Sequence, residues 1–134
     1  LTIRRQFRAY LDTPVFGGVY DEGFAAASRS VFDHVRRGRL VVMVGSTVLA
    51  ELSEAPERVR QVLADLDPSG VVVCPITVAV EELRDAYIEA GVLGEGSLDD
   101  ATHVATATVH DADMIVNWNF KHIVNFQRMR VSTR

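Results

Sequence analysis

The sequence predicts an α/β protein: a three-layer α/β/α sandwich with a mostly parallel central sheet of four or five strands. Three observations carry this. "LVVMV" (40–44) is a continuous Val-rich apolar run, as expected of a strand buried on both faces, and "GVVVCP" (70–75) reads as another short strand. Segments of helical periodicity lie between the apolar runs. Strands alternating with helices imply right-handed crossovers and a sheet covered on both sides. The 134 residues suit a single domain, 1–134, with one core.

"RAYLD" (8–12) reads as a first short strand ending at Asp12, and "TPVFGG" after it reads as a loop because of its Pro and glycines. Residues 22–37 carry helical periodicity through Phe24, Ala27, Val31, Phe32 and Val35, stopped by Gly38. The second strand is 40–44. Ser46 is expected to cap a helix over about 47–54, and Pro56 to open another over about 56–66. The third strand is 70–75. Thr77 caps a helix running to about 90, where Gly91 ends it. Ser97 begins an Ala-rich helix, "SLDDATHVATATVH". "DMIVNW" (113–118) is a fourth strand, and "RMRVS" (128–132) is the candidate fifth.

Composition excludes several classes. Hydrophobic residues make up 48% of the chain and charged residues 24%, which argues against disorder. No apolar run approaches a membrane span, and "LTIRRQFRAY" lacks the pattern of a signal peptide. The first residue is Leu1 rather than Met, so a start upstream or a processed start is expected. The single cysteine, Cys74, permits neither an internal disulfide nor a Cys-rich zinc site, and a reducing, cytoplasmic location is expected. The four histidines form no HExxH pair, which argues against a zinc hydrolase. A net charge of −4 is not that of a generally basic nucleic-acid binder. The positive charge is almost all Arg, Lys121 being the single lysine. That skew reads as codon usage, and its clusters (Arg4, Arg5 and Arg8; Arg36, Arg37 and Arg39; Arg128, Arg130 and Arg134) as solvated faces.

The acids are more informative. In a parallel α/β sheet the working edge lies at the carboxyl ends of the strands, where the crossover helices also begin. Asp12 ends the first strand. Glu51 lies about one turn into the helix after the second. Asp99 and Asp100 open the helix before the fourth strand, and Asn117 and Asn119 lie at or just past that strand's end. All six belong to one edge. Taken alone, Asp12 reads as a turn-former whose side chain bonds the backbone two residues on. Glu51 sits in the largely apolar "GSTVLAEL", and a partly buried carboxylate is costly unless it is paired or metal-bound. Asp100 completes an S-x-x-D capping box with Ser97, but one acid suffices for that. Asp99 and Asp100 point about 100° apart around the helix, so at most one faces the cleft squarely. His103, one turn beyond Asp100, reads as a packed histidine bonded to backbone rather than a metal ligand. Carboxylates gathered on one edge repel, and a divalent cation relieves this. Oxygen-only ligands select Mg²⁺ or Mn²⁺ rather than zinc. Such a cation also binds phosphate oxygens and activates water, which is the chemistry of phosphodiester hydrolysis.

"YLDTPVFGG", "STVLAEL", "SLDDATHVATA" and "MIVNWNFKHI" occur in the order and rough spacing of a PIN domain, and together they resemble the toxin nucleases of VapBC-type toxin–antitoxin pairs. The resemblance spans nearly the whole chain. It implies a Mg²⁺- or Mn²⁺-dependent ribonuclease of compact α/β/α fold. The family's first three acids match Asp12, Glu51 and Asp100, which would hold the metal. Asp99 is then a neighbour of the site or a cap, with Asn117 and Thr13 as further secondary candidates. The fourth position, usually an acid, is Asn119 here, and Asn brings an oxygen but no charge. Pro14 stands where many members carry Ser, Thr or Asn. Asn119 would orient water or phosphate, and Lys121, His122 or an arginine would steer RNA. Trp118 and Phe120, which flank Asn119, read as core packing rather than as base-stacking groups. The implied partners are an RNA substrate and a small antitoxin protein. A homodimer is expected, with the apolar helices at 22–37 and 56–66 as its candidate face. The competing expectation is a catalytically weak or inactive PIN-like domain that binds RNA or a protein partner without cleavage. A phosphoacceptor signalling domain ranks below both, because Asp12 stands alone before the first helix.

Overall fold

The structure, a computed structural model, describes residues 6–91 and 98–118. Among the described residues, four strands form one sheet: β1 (Phe7–Leu11), β2 (Leu40–Gly45), β3 (Val71–Cys74) and β4 (Met114–Val116). Their order is β3-β2-β1-β4, and every pairing is parallel. Six α-helices of the described residues accompany them: α1 (Thr13–Gly17), α2 (Ala25–Arg36), α3 (Ser46–Ser53), α4 (Glu57–Ala64), α5 (Val78–Glu89) and α6 (Leu98–Val109). The candidate fifth strand at 128–132 lies outside the described residues.

The topology explains the layers. The chain moves outward from β1 through β2 to β3, then returns to place β4 on the other side of β1. Right-handed crossovers in opposite directions put their helices on opposite faces. Helices α1–α4 thus cover one face, and α5 and α6, which pack on each other, cover the other. The sandwich is α/β/α, as the alternation of segments predicts. The point of reversal lies between β1 and β4, and the strand ends beside such a point are where α/β sheets bind ligands.

Local chemistry sets the boundaries. Helix α2 buries Ser28, Phe32 and Val35 at helical spacing, and Phe32 meets Phe16 with ring centroids 5.4 Å apart. Burying such apolar side chains contributes roughly 1.5–3 kcal/mol each. Gly38 and Gly91, at φ +74° and +67°, follow the last residues of α2 and α5 in the left-handed conformation that ends a helix. Thr77 caps α5, its side chain accepting from the Val80 amide.

Two expectations need correction. The segment read as a loop after Asp12 is helical, forming α1 and then a 3₁₀ turn, Gly18–Tyr20. Pro14 is compatible because it lies in the first turn, where no intrahelical N–H is needed. Ser46 is not a cap but the first residue of α3. Gly45 precedes it in an extended conformation and offers no side-chain bond.

Helix α6 differs from the rest in burying an unbroken run from Asp100 to Ala107. Its hydroxyls are satisfied internally. Thr102 Oγ1 donates to the Leu98 carbonyl at 2.8 Å and Thr106 Oγ1 to the Thr102 carbonyl at 2.6 Å. This satisfies the rule that buried polar groups keep hydrogen-bond partners.

Candidate active site

Asp12 follows β1 and caps α1, its Oδ1 accepting from the Thr13 amide at 2.8 Å. The acid read as a turn-former is therefore a helix cap, bonded one residue on rather than two. Its Oδ2 accepts from Asn117 Nδ2 at 2.7 Å. Asn117 directly follows β4, so this bond spans the point where the chain reverses its course across the sheet. Asp12 is 8% exposed, and no Lys or Arg among the described residues pairs with it. A carboxylate so far from water needs several hydrogen-bond partners to offset its burial.

Glu51 reaches the same place from α3. Thr13 Oγ1 donates to its Oε1 at 2.8 Å. The sequence suggested a partly buried Glu51, but this residue is exposed. Helix α3 buries Val48 and Leu52, which turns Glu51 outward, and its carboxylate lies against the polar start of α1. Water can solvate it, so it avoids the burial cost argued from its apolar neighbours.

The third group is His103 on α6. Its Nε2 lies 3.5 Å from Asp12 Oδ1, a long polar contact. Its Nδ1 lies 2.7 Å from the Tyr10 hydroxyl. His103 is a packed histidine as expected, but its partners are side chains, not backbone. Tyr10 was not singled out from sequence, although a signal was available. Strand residues two apart share a face, so Tyr10 and Asp12 both look toward α6. Burial, reinforced by the nearby Asp12 and Glu51 carboxylates, pushes the Tyr10 phenol well above its ordinary range, so it keeps its proton.

Asp12, Glu51 and His103 each offer a ligand atom, and these atoms all lie within 4.8 Å of one another. The donor set fits a divalent cation: a buried carboxylate, an exposed carboxylate beside it and a buried imidazole. Asp100 is buried and Asp99 exposed, both in the first turn of α6. Asp100 precedes His103 by three residues, so the two share a helix face. Asn119, Lys121, His122 and Phe120 lie outside the described residues. Trp118, half-buried, stacks on Phe24 with centroids 6.0 Å apart and donates from Nε1 to Ser28 Oγ at 2.7 Å. This is the packing role expected of it.

No protein-family model matches the sequence, and no curated protein matches it. Solved structures do. One is VapC20 from Mycobacterium tuberculosis, a toxin that cleaves the sarcin-ricin loop, at 19% identity and a TM-score of 0.60, covering 84% of this chain and 92% of that one. Another is VapBC2 from Rickettsia felis, bound to a DNA fragment from its promoter, at 20% identity and a TM-score of 0.54, covering 89% of this chain and 95% of that one. At such identities the likeness is one of architecture, and the α/β/α fold of this chain is PIN-like.

Proposed function

We propose that this chain is a divalent-metal-dependent ribonuclease that hydrolyses RNA phosphodiester bonds, acting as the toxin of a toxin–antitoxin pair. The observation that carries the reading is the meeting of Asp12 and Glu51 at the carboxyl edge of the sheet, beside the reversal point of a PIN-like fold. The neighbouring structures, a sarcin-ricin loop cleaving toxin and a VapBC assembly, support a nuclease with an antitoxin partner.

In this reading Asp12, Glu51 and Asp100 hold Mg²⁺ or Mn²⁺. When bound, the cation supplies charge neutralisation at phosphate and an acidified water. The protein's part is positioning. Asn117 and the Thr13 amide fix Asp12 by one hydrogen bond to each oxygen. Thr13 anchors Glu51, whose exposed carboxylate is open to solvent and to an incoming backbone. Asp100 contributes a third acid from the first turn of α6. Asn119 orients water or phosphate, and Lys121, His122 or an arginine guides the RNA strand. Homodimerisation and a cytoplasmic location belong to the same reading. No described helix is long and apolar enough to cross a membrane.

The test is incubation of the purified chain with a mixed RNA pool in Mg²⁺, Mn²⁺ or EDTA, with Asp100→Asn as the control for contaminating nuclease. Metal-dependent cleavage that disappears in the variant is expected. Absence of cleavage by the folded protein, with retained RNA binding, would favour a binding domain of the same fold.

A further inference from the structure

Tyr10 and His103 lie beneath the acids and hold none of the roles assigned above. Tyr10 is 1% exposed and His103 6%. The Tyr10 hydroxyl is confined from the β2 side as well. A Cβ added at Gly45 would overlap that hydroxyl and come within 3.3 Å of two Tyr10 ring carbons. The absence of a side chain at Gly45 therefore makes room for the phenol at this spot.

A buried phenol must direct its hydrogen to an acceptor. Among the described residues the hydroxyl has one hydrogen-bond partner, His103 Nδ1 at 2.7 Å. If Nδ1 carried a proton it would donate to the phenol oxygen, and the phenol's own hydrogen would be left without an acceptor. Such a buried donor costs about 1–3 kcal/mol. The arrangement that satisfies both groups has Tyr10 donating to a bare Nδ1. A neutral imidazole then bears its proton on Nε2, the nitrogen that faces Asp12 Oδ1 at 3.5 Å.

We propose that Tyr10 fixes His103 in the tautomer that presents an N–H, rather than a lone pair, to Asp12. His103 is thereby a positioning residue for Asp12, and the cation site keeps an all-oxygen ligand set. His103 lies within ligand reach of both carboxylates, and imidazole is a preferred ligand of zinc and other later transition metals. Tyr10 removes that option. The site is thus biased toward hard cations by a hydroxyl that touches neither the metal nor the substrate. This rests on the reading of the acids as a cation site, and deepens it by naming the device that sets selectivity.

Two measurements test it, neither of which needs RNA. In the first, ¹⁵N-histidine NMR of the metal-free protein reports which His103 nitrogen is protonated. A protonated Nε2 and a bare Nδ1 are expected, and the reverse would overturn the proposal. In the second, Mn²⁺ and Zn²⁺ affinities are measured by calorimetry for the wild type, Tyr10→Phe and Tyr10→Phe/His103→Gln, with thermal melting to confirm folding. Outer partners of ligands typically change metal affinity about 10–100-fold. Tyr10→Phe frees the tautomer, so the ratio of affinities should move toward zinc by on the order of 10-fold. The added His103→Gln removes the imidazole and should cancel that gain. An unchanged ratio in folded Tyr10→Phe, or a gain that survives His103→Gln, would overturn the selectivity role while leaving the cation site standing. A wild type that binds neither ion would instead remove the cation site itself.

Discussion

The two sides of the candidate site hold their carboxylates in opposite ways. On the side built by β1, β4 and α6, Asp12 is buried, and the Thr13 amide, Asn117 and His103 surround it. On the side built by α3, Glu51 is exposed and has a single described partner, Thr13 Oγ1. The buried side is preorganised, because its acid cannot turn without breaking hydrogen bonds that no water replaces. The exposed side is adjustable, because Glu51 can swing at little cost. A site arranged this way keeps one carboxylate as a fixed reference and leaves the other free to adjust. It also follows that stability and activity separate differently on the two sides.

The largest effect is expected at Asp12. Asp12→Ala removes the hydrogen bonds that the Thr13 amide and Asn117 Nδ2 make to its carboxylate and removes a proposed ligand. Stranding a buried donor costs about 1–3 kcal/mol. Thermal melting should therefore fall by several degrees while RNA cleavage disappears. If melting were unchanged, the description of the buried side as preorganised would fail. Glu51→Gln should also abolish most cleavage, but with a stability change of about 0.5 kcal/mol or less, as for ordinary surface substitutions. A large loss of stability there would erase the contrast between the two sides.

Gly45→Ala probes the buried side without touching an acid. The new Cβ closes on the Tyr10 hydroxyl, and overpacking of this kind costs about 1–3 kcal/mol. Tyr10→Phe in the same chain removes the colliding oxygen, so the double variant should be more stable than the sum of the two single losses predicts. Simple additivity, read from denaturant unfolding of all four proteins, would mean that the close approach carries no energy.

The smallest effect is expected at Asp99. It is exposed, whereas Asp100 is buried on the His103 side of α6. Asp100→Asn should abolish cleavage with little loss of folding, and Asp99→Asn should lower it only a few-fold, consistent with a contribution of about 0.3–1 kcal/mol from an acid near a helix N-terminus. Equal losses from both, in parallel cleavage assays, would end the distinction between ligand and cap.

Much of this was legible in the chain itself. Four apolar runs, the helical periodicities between them and the stops at Gly38 and Gly91 depend on local patterns, and each appears where those patterns put it. The segment after Asp12 was misread because its Pro and glycines are loop signals in isolation. Burial of Val15 and Phe16 against the core holds that segment helical instead. The exposure of Glu51 was missed for a related reason: apolar neighbours in sequence say nothing about which side of a short helix meets the sheet.

The sequence by itself determined the alternation of strands and helices, and with it a parallel sheet whose acids gather at one edge. That follows because secondary structure and crossover handedness are set by short-range sterics and hydrophobic periodicity. Only the tertiary structure decided that β4 pairs with β1, which brings Asn117 onto Asp12 across 105 residues of chain. The same holds for the meeting of Tyr10 and His103, 93 residues apart. Partners this distant are selected by the packing of whole elements against one another, and no local pattern in either segment records which element the other will face.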